Sequence, residues 1–153
     1  MLEILTGKFS DLPEGGKKMF SHQGNDILLV KIKGKIYALG GHCTHYGAPL
    51  DEGVLAGDRL VCPWHQAVFQ ATTGDLLDPP ALDTLPCYEV LVKGDDIYVL
   101  LPERIESDRI PAMVKHNSTA DNRCFVILGA GAAGTTAAQT LREDGFQGRI
   151  VLI

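Results

Sequence analysis

Cys43-Thr44-His45 and, after the sixteen residues 46 to 61, Cys62-Pro63-Trp64-His65 set two thiols and two imidazoles on two short stretches of one chain. Such a donor set can close a tetrahedral structural zinc site. It can equally hold a [2Fe–2S] cluster, both thiolates on one iron and both neutral imidazoles on the other. Zinc fingers usually pair Cys with Cys and His with His at short spacing, whereas each pair here is mixed. The mixed pairing points to the iron–sulfur cluster, with Cys43, His45, Cys62 and His65 as its ligands. A core of two ferric ions, two sulfides and two thiolates is formally neutral when oxidised, so one electron takes it to minus one. A four-thiolate cluster would go from minus two to minus three. Adding an electron to the neutral core costs less, and clusters of the mixed kind span about −150 to +300 mV against about −400 mV for four-thiolate plant-type clusters.

Both pairs must be delivered by tight turns, and Gly40, Gly41, Gly47 and Pro63 supply turn chemistry around them. Upstream, Ile27 to Lys33 and Ile36 to Leu39 flank Gly34-Lys35 and read as a β-hairpin. Downstream, Val68-Phe69 reads as a short strand, and Tyr88 to Lys93 with Ile97 to Leu101 flank Gly94-Asp95-Asp96 as a second hairpin. Short strands with regular turn punctuation predict a mainly β, antiparallel domain over residues 1–102, with the ligand loops at one end.

Residues 103–122 are polar, aperiodic and proline-containing, and read as an interdomain linker. Residues 123–153 then change period. A strand pattern at Cys124 to Leu128 runs into Gly129-Ala130-Gly131-Ala132-Ala133-Gly134; a helical stretch from Thr135 to Asp144 follows, and a second strand pattern at Arg149 to Ile153. That is the G-x-G-x-x-G dinucleotide fingerprint between a strand and a helix. Gly129 would allow the tight turn, Gly131 the approach of a pyrophosphate, and Gly134 close helix–strand packing. The acidic residue that grips the ribose about twenty residues further on is not visible. A single β-α-β unit cannot bury both faces of a parallel sheet, and the face Ala133, Ala137, Ala138 and Leu141 would have little to pack on. The expectation is therefore the truncated start of a larger nucleotide-binding fold, poorly ordered when made alone.

Composition excludes several classes. With 14 Lys and Arg against 19 Asp and Glu, the net charge is −5, and there is no basic footprint for nucleic acid. No apolar run is long enough to span a membrane. The N-terminus lacks the pattern of a secretory signal or a transit peptide, so an intracellular setting, cytoplasmic or mitochondrial, is expected. Of four cysteines, Cys87 and Cys124 remain outside the ligand set; both lie in apolar runs and are expected as buried free thiols. His42 precedes a ligand and is expected to line the site, while His22 and His116 are expected to be solvated. Asn117-Ser118-Thr119 is a formal glycosylation sequon.

The text from residue 36 to 78, including Cys43-Thr44-His45-Tyr46-Gly47-Ala48-Pro49-Leu50 and Cys62-Pro63-Trp64-His65, resembles a Rieske [2Fe–2S] domain. The resemblance implies the Rieske (ISP) fold for residues 1–102 and places a proline-containing cover loop at Asp78-Pro79-Pro80-Ala81. The bc1 branch of that family has one further cysteine in each ligand loop, joined as a disulfide; the matching positions here are Ala48 and Trp64. It also has a serine and a tyrosine that donate to the cluster sulfur atoms, where this chain has Ala67 and Phe69. Fewer donors to sulfur lower the potential, so the resemblance implies the low-potential, ferredoxin-like branch. With the glycines at 129, 131 and 134, the whole chain resembles a Rieske domain fused ahead of a flavoprotein reductase, as in apoptosis-inducing-factor-like proteins. The resemblance implies FAD on an incomplete Rossmann site, NAD(P)H on a segment outside the chain, and a redox partner protein or the fused reductase domain as partner. Two alternatives stand beside it. A ring-hydroxylating oxygenase would continue into a two-His, one-carboxylate iron domain, not a nucleotide fold. The other is a redox-sensing or cell-death-signalling module.

Overall fold

The structure is a computed structural model describing residues 1–153. The chain forms two compact units, Met1–Arg109 and Ile110–Ile153.

The first unit is built on a six-stranded sheet. Its strands are β1 (Leu2–Lys8), β2 (Lys17–His22), β3 (Asn25–Ile32), β4 (Lys35–Gly40), β9 (Cys87–Lys93) and β10 (Asp96–Leu101), in the order β1-β10-β9-β4-β3-β2 with every pair antiparallel. Between β4 and β9 the chain makes a second, four-stranded sheet of three-residue strands: β5 (Val54–Ala56), β6 (Arg59–Val61), β7 (Val68–Gln70) and β8 (Leu76–Asp78). The first hairpin turns at Lys33-Gly34, one residue earlier than expected, because both residues adopt positive φ (51° and 71°) and Ile32 pairs with Lys35. That is the pattern of a two-residue turn whose twist matches the flanking strands.

Alternation along β3 explains how the two sheets join. Side chains two apart on a strand share a face, and Ile27, Leu28, Leu29 and Val30 are all 0% exposed, so both faces of β3 are covered. Ile27 and Leu29 face a core shared with Ile97, Val99 and Leu101, whereas Leu28 and Val30 face a core shared with Leu50, Leu60, Phe69 and Leu85. The second core also contains Cys43 and Cys62. Each fully buried Leu or Phe stabilises by about 1.5–3 kcal/mol relative to exposure, and the ligand loops stand on the larger of these two cores.

The stretch expected as a linker does not run free. Residues up to Arg109 stay on the first unit, where Arg109 forms an antiparallel bridge with Thr84. In the second unit Val114 N–H donates to the Arg142 carbonyl (3.0 Å) and Asn117 N–H to the Gln147 carbonyl (2.8 Å).

The second unit has β11 (Cys124–Ile127) and β12 (Arg149–Leu152) paired in parallel, joined by the helix α1 (Ala132–Glu143). The helix turns Gly134 inward; Ala138 and Leu141 are half-buried, while Ala133 and Ala137 are exposed. Phe125, Val126, Leu128 and Ile153 are exposed as well, so apolar surface of the unit is uncovered. Cys124 is exposed for the same reason and not buried as expected. Both Cys87 and Cys124 are free. Cys87 is also exposed as a residue, yet its sulfur turns inward and lies 2.8 Å from the Thr73 carbonyl; burial of that sulfur pushes the thiol up to about 11.

Candidate metal centre

Two loops carry the candidate ligands, and they share one backbone frame. In the loop between β4 and β5, Cys43 N–H donates to the Ala48 carbonyl (2.9 Å) and Gly47 N–H donates back to the Cys43 carbonyl (2.8 Å). In the loop between β6 and β7, Cys62 N–H donates to the Ala67 carbonyl (2.8 Å) and Gln66 N–H to the Cys62 carbonyl (3.3 Å). The fourth residue after each cysteine is left-handed, Gly47 at φ 72° and Gln66 at φ 62°. The fifth is an alanine, 1% exposed at 48 and 0% at 67. A side chain larger than alanine would meet the shared core at both places. The repeat Cys-x4-Ala is visible in the sequence and could have revealed the common frame.

These frames bring all four residues to one end of the unit. Cys43 and Cys62 are buried, 3% and 2% exposed, and interact with each other. The His45 and His65 rings meet edge to face, centroids 4.9 Å apart. His45 is half-buried and His65 exposed, so the sulfur pair lies inside and the imidazole pair outside. His45 Nδ1 is buried without a hydrogen-bond partner, a costly state for a polar atom that a ligand would relieve. No three His, Cys, Asp or Glu side chains surround one point as a single ion requires; the four candidates stand as two pairs. Burial pushes the Cys43 thiol up to about 11, opposed by the His45 and Tyr46 N–H groups and reinforced by Cys62. A thiolate there needs a cation beside it, which iron would supply. The donors present therefore fit a [2Fe–2S] cluster.

The residues around the ligands take roles that the sequence did not show. His42 does not line the site as expected. It braces the first loop, with Nδ1 2.9 Å from the Gly47 carbonyl and Nε2 2.8 Å from Asp26 Oδ2. Asp26 holds the imidazole above its ordinary pKa, and the Gly47 carbonyl adds to that. Thr44, between two candidate ligands, donates through Oγ1 to the Asp83 carbonyl at 2.7 Å. Tyr46 and Trp64 are exposed, and each ring lies against His65; Tyr46 also meets His45 at 4.5 Å. Pro79 and Pro80, the expected cover, are joined by a cis peptide and are exposed.

In the second unit the three glycines differ. Gly129 takes φ 94°, and a Cβ on Gly134 would run into the Gly129 carbonyl. A Cβ on Gly131, the N-cap of α1, would meet nothing within 4 Å. The first turn of α1 has no acidic residue, leaving its positive dipole end unopposed.

Fold and site together define a ferredoxin-like electron-transfer module of the Rieske type. The Rieske [2Fe-2S] domain family model matches residues 3–89, and the chain belongs to that family. It is 41% identical over 148 residues to apoptosis-inducing factor 3 of Homo sapiens, a match taking in 93% of this chain and 24% of that protein. The chain thus spans about a quarter of that relative's length. It is 40% identical over 104 residues to the 3-phenylpropionate/cinnamic acid dioxygenase ferredoxin subunit of Escherichia coli K12, covering 67% of this chain and 97% of that one. Among solved structures, the ferredoxin of carbazole 1,9a-dioxygenase from Nocardioides aromaticivorans IC177 superposes with a TM-score of 0.61 at 27% identity, over 65% of this chain and 97% of that one. A Rieske domain implies a [2Fe–2S] cluster. No helix is long and apolar enough to cross a membrane.

Proposed function

We propose that the first unit passes single electrons through a low-potential [2Fe–2S] cluster, with Cys43 and Cys62 on one iron and His45 and His65 on the other. It does so as the ferredoxin module of an NAD(P)H- and FAD-dependent oxidoreductase. The observation that carries the site is the sorting of the four donors into a buried sulfur pair and an outward imidazole pair, with His45 Nδ1 buried and unpartnered. The bound cluster supplies a site that gains and loses one electron at a time. The chain's own residues hold both cysteines away from water on Leu50, Leu60 and Phe69 and leave the imidazole side open to a partner. The low potential is supported by Ala67 and Phe69, buried next to the ligand loop without hydroxyl donors.

The flavin part of the reading rests on the second unit. Its β-α-β order, the left-handed Gly129, the open space at Gly131 and the close approach at Gly134 suit a dinucleotide phosphate at the N-terminus of α1. The match to human apoptosis-inducing factor 3 extends past the Rieske region into this unit. A second reading, electron donor to a separate oxygenase, is favoured by the nearly full-length match to the E. coli dioxygenase ferredoxin subunit.

Anaerobic reconstitution of the chain with iron and sulfide tests the site. A brown protein whose reduced form has the low average g-value of Rieske centres is expected, and Cys62→Ser or His45→Ala should abolish the signal. A colourless, zinc-loaded protein would overturn the reading. If the chain is joined to a reductase domain as the reading holds, NAD(P)H should bleach the cluster only when FAD is bound; bleaching that needs a separate reductase would favour the oxygenase reading.

A further inference from the structure

We propose that the segment after β10, ending at Arg109, is a strap that holds the cover loop onto the first ligand loop, with Thr84 and Arg109 as positioning residues for the cluster. The inference rests on the [2Fe–2S] reading above.

Thr84 stands out as the buried polar residue of the chain, 3% exposed. Its bonding explains the burial. Thr84 N–H and Oγ1–H both donate to the Arg109 carbonyl, at 2.9 and 2.6 Å, and Arg109 N–H donates back to the Thr84 carbonyl at 2.9 Å. The Arg109 guanidinium then reaches Asp75 Oδ1 at 2.6 Å and the Thr73 carbonyl at 2.9 Å. Gly74, between them, accepts the Leu85 N–H at 2.8 Å. The strap thus ties the β7–β8 turn and the cover loop together.

From the cover loop the chain of contacts continues to the ligands. Asp83, next to Thr84, accepts the Thr44 hydroxyl, and Thr44 sits between Cys43 and His45. On the other side of Thr84, Leu85 is 0% exposed in the same core as both cysteines. A buried segment secured by backbone and side-chain hydrogen bonds has one geometry, and loss of a bond within it leaves a buried acceptor or donor exposed to competition. Arg109 is also the last residue of the first unit, so the strap is where the covalent connection to the second unit enters this network.

The test compares reconstituted wild-type chain with Thr84→Val, which keeps the shape and removes the hydroxyl, Thr84→Ser, which restores it, and Arg109→Ala. Val99→Ala, in the other core, is a control for general loosening. Thr84→Val and Arg109→Ala should each lose the cluster to a chelator about fivefold faster, the fold-change that one net hydrogen bond supplies, and should shift the g-values of the reduced cluster. Thr84→Ser and Val99→Ala should keep the wild-type g-values. Wild-type g-values in Thr84→Val and Arg109→Ala, whatever their thermal stability, would overturn the strap while leaving the cluster reading intact. A wild-type chain that forms no cluster would overturn both.

Discussion

Ala67→Ser tests the reasoning about potential most directly. Ala67 is 0% exposed, and its carbonyl accepts the Cys62 N–H at 2.8 Å. A serine there adds one hydroxyl inside the frame that carries a ligand sulfur. Two outcomes compete. If the hydroxyl finds no acceptor, the cost is about 1–3 kcal/mol of stability. If it donates to a cluster sulfur atom, it favours the reduced state, because hydrogen bonds to a charged acceptor are roughly twice as strong as those between neutral groups. A neutral bond is worth about 1 kcal/mol net, so the difference between oxidation states is also about 1 kcal/mol. For one electron about 59 mV corresponds to a tenfold change, or about 1.4 kcal/mol, so the midpoint should rise by about 40 mV. Protein-film voltammetry at neutral pH reads it on wild type and variant side by side. The cluster-free variant should unfold at lower temperature than cluster-free wild type, since its hydroxyl then has no sulfur acceptor with iron bound. A potential that stays still or falls while the cluster is retained would refute the argument. A wild-type midpoint above about +150 mV, well inside the upper range, would refute the low-potential assignment itself.

The glycines of the second unit should respond in opposite ways. Gly134→Ala gains helix propensity of about 1 kcal/mol, but its Cβ collides with the Gly129 carbonyl backbone and overpacking costs about 1–3 kcal/mol; faster hydrogen exchange across α1 is expected. Gly131→Ala, with open space around its Cβ and extended backbone, should exchange as wild type; equal exchange in both variants would contradict this. Burial, then Asp108, raises the Asp83 carboxyl above its ordinary value. The folded state therefore favours protonated Asp83, a contribution present below the unfolded value and lost as pH rises through the folded one. Asp108→Asn should bring the carboxyl down in an NMR titration and raise the thermal midpoint at pH 7 more than at acid pH; an unchanged Asp83 titration would rule the pairing out.

The fold was legible wherever pattern and chemistry coincided. Both hairpins and the parallel β11–β12 pair could be read from turn dipeptides and strand alternation, and ligand spacing singled out the four candidate donors that the structure gathers at one end of the unit. Strands β5, β6 and β8 were not, because three residues show no period and their order comes from pairing across the four-stranded sheet. β1 pairs with β10, ninety-odd positions away in sequence, and only the folded register reveals it. The boundary between the two units falls inside the stretch read as a linker, but the hydrogen bonds at its ends were not visible, because polarity without period describes a strap bonded to Thr84 as well as it describes free chain. His42 and Thr84 were misjudged or missed because their partners, Asp26 and Arg109, are distant in sequence.

Charge adds a constraint on the electron's partner. Between Gly41 and Pro86, the part that carries the ligands, the acidic residues are Asp51, Glu52, Asp58, Asp75, Asp78 and Asp83, against the single basic Arg59. Residues 1–40 have six lysines against four carboxylates. The segment that carries the outward imidazoles is therefore strongly acidic and sets up a negative field. Such a field steers association and is screened over about 8–10 Å at physiological salt. An electropositive partner should thus be reduced with a second-order rate that falls by about tenfold or more between low and high ionic strength. Asp51 and Glu52 are exposed in the turn directly after the first ligand loop, so Asp51→Asn with Glu52→Gln should flatten that salt dependence and leave the midpoint potential near wild type. Stopped-flow reduction of a small cationic protein acceptor separates the two quantities. A rate that ignores salt, or that rises with it, would mean that the acidic surface plays no part in docking.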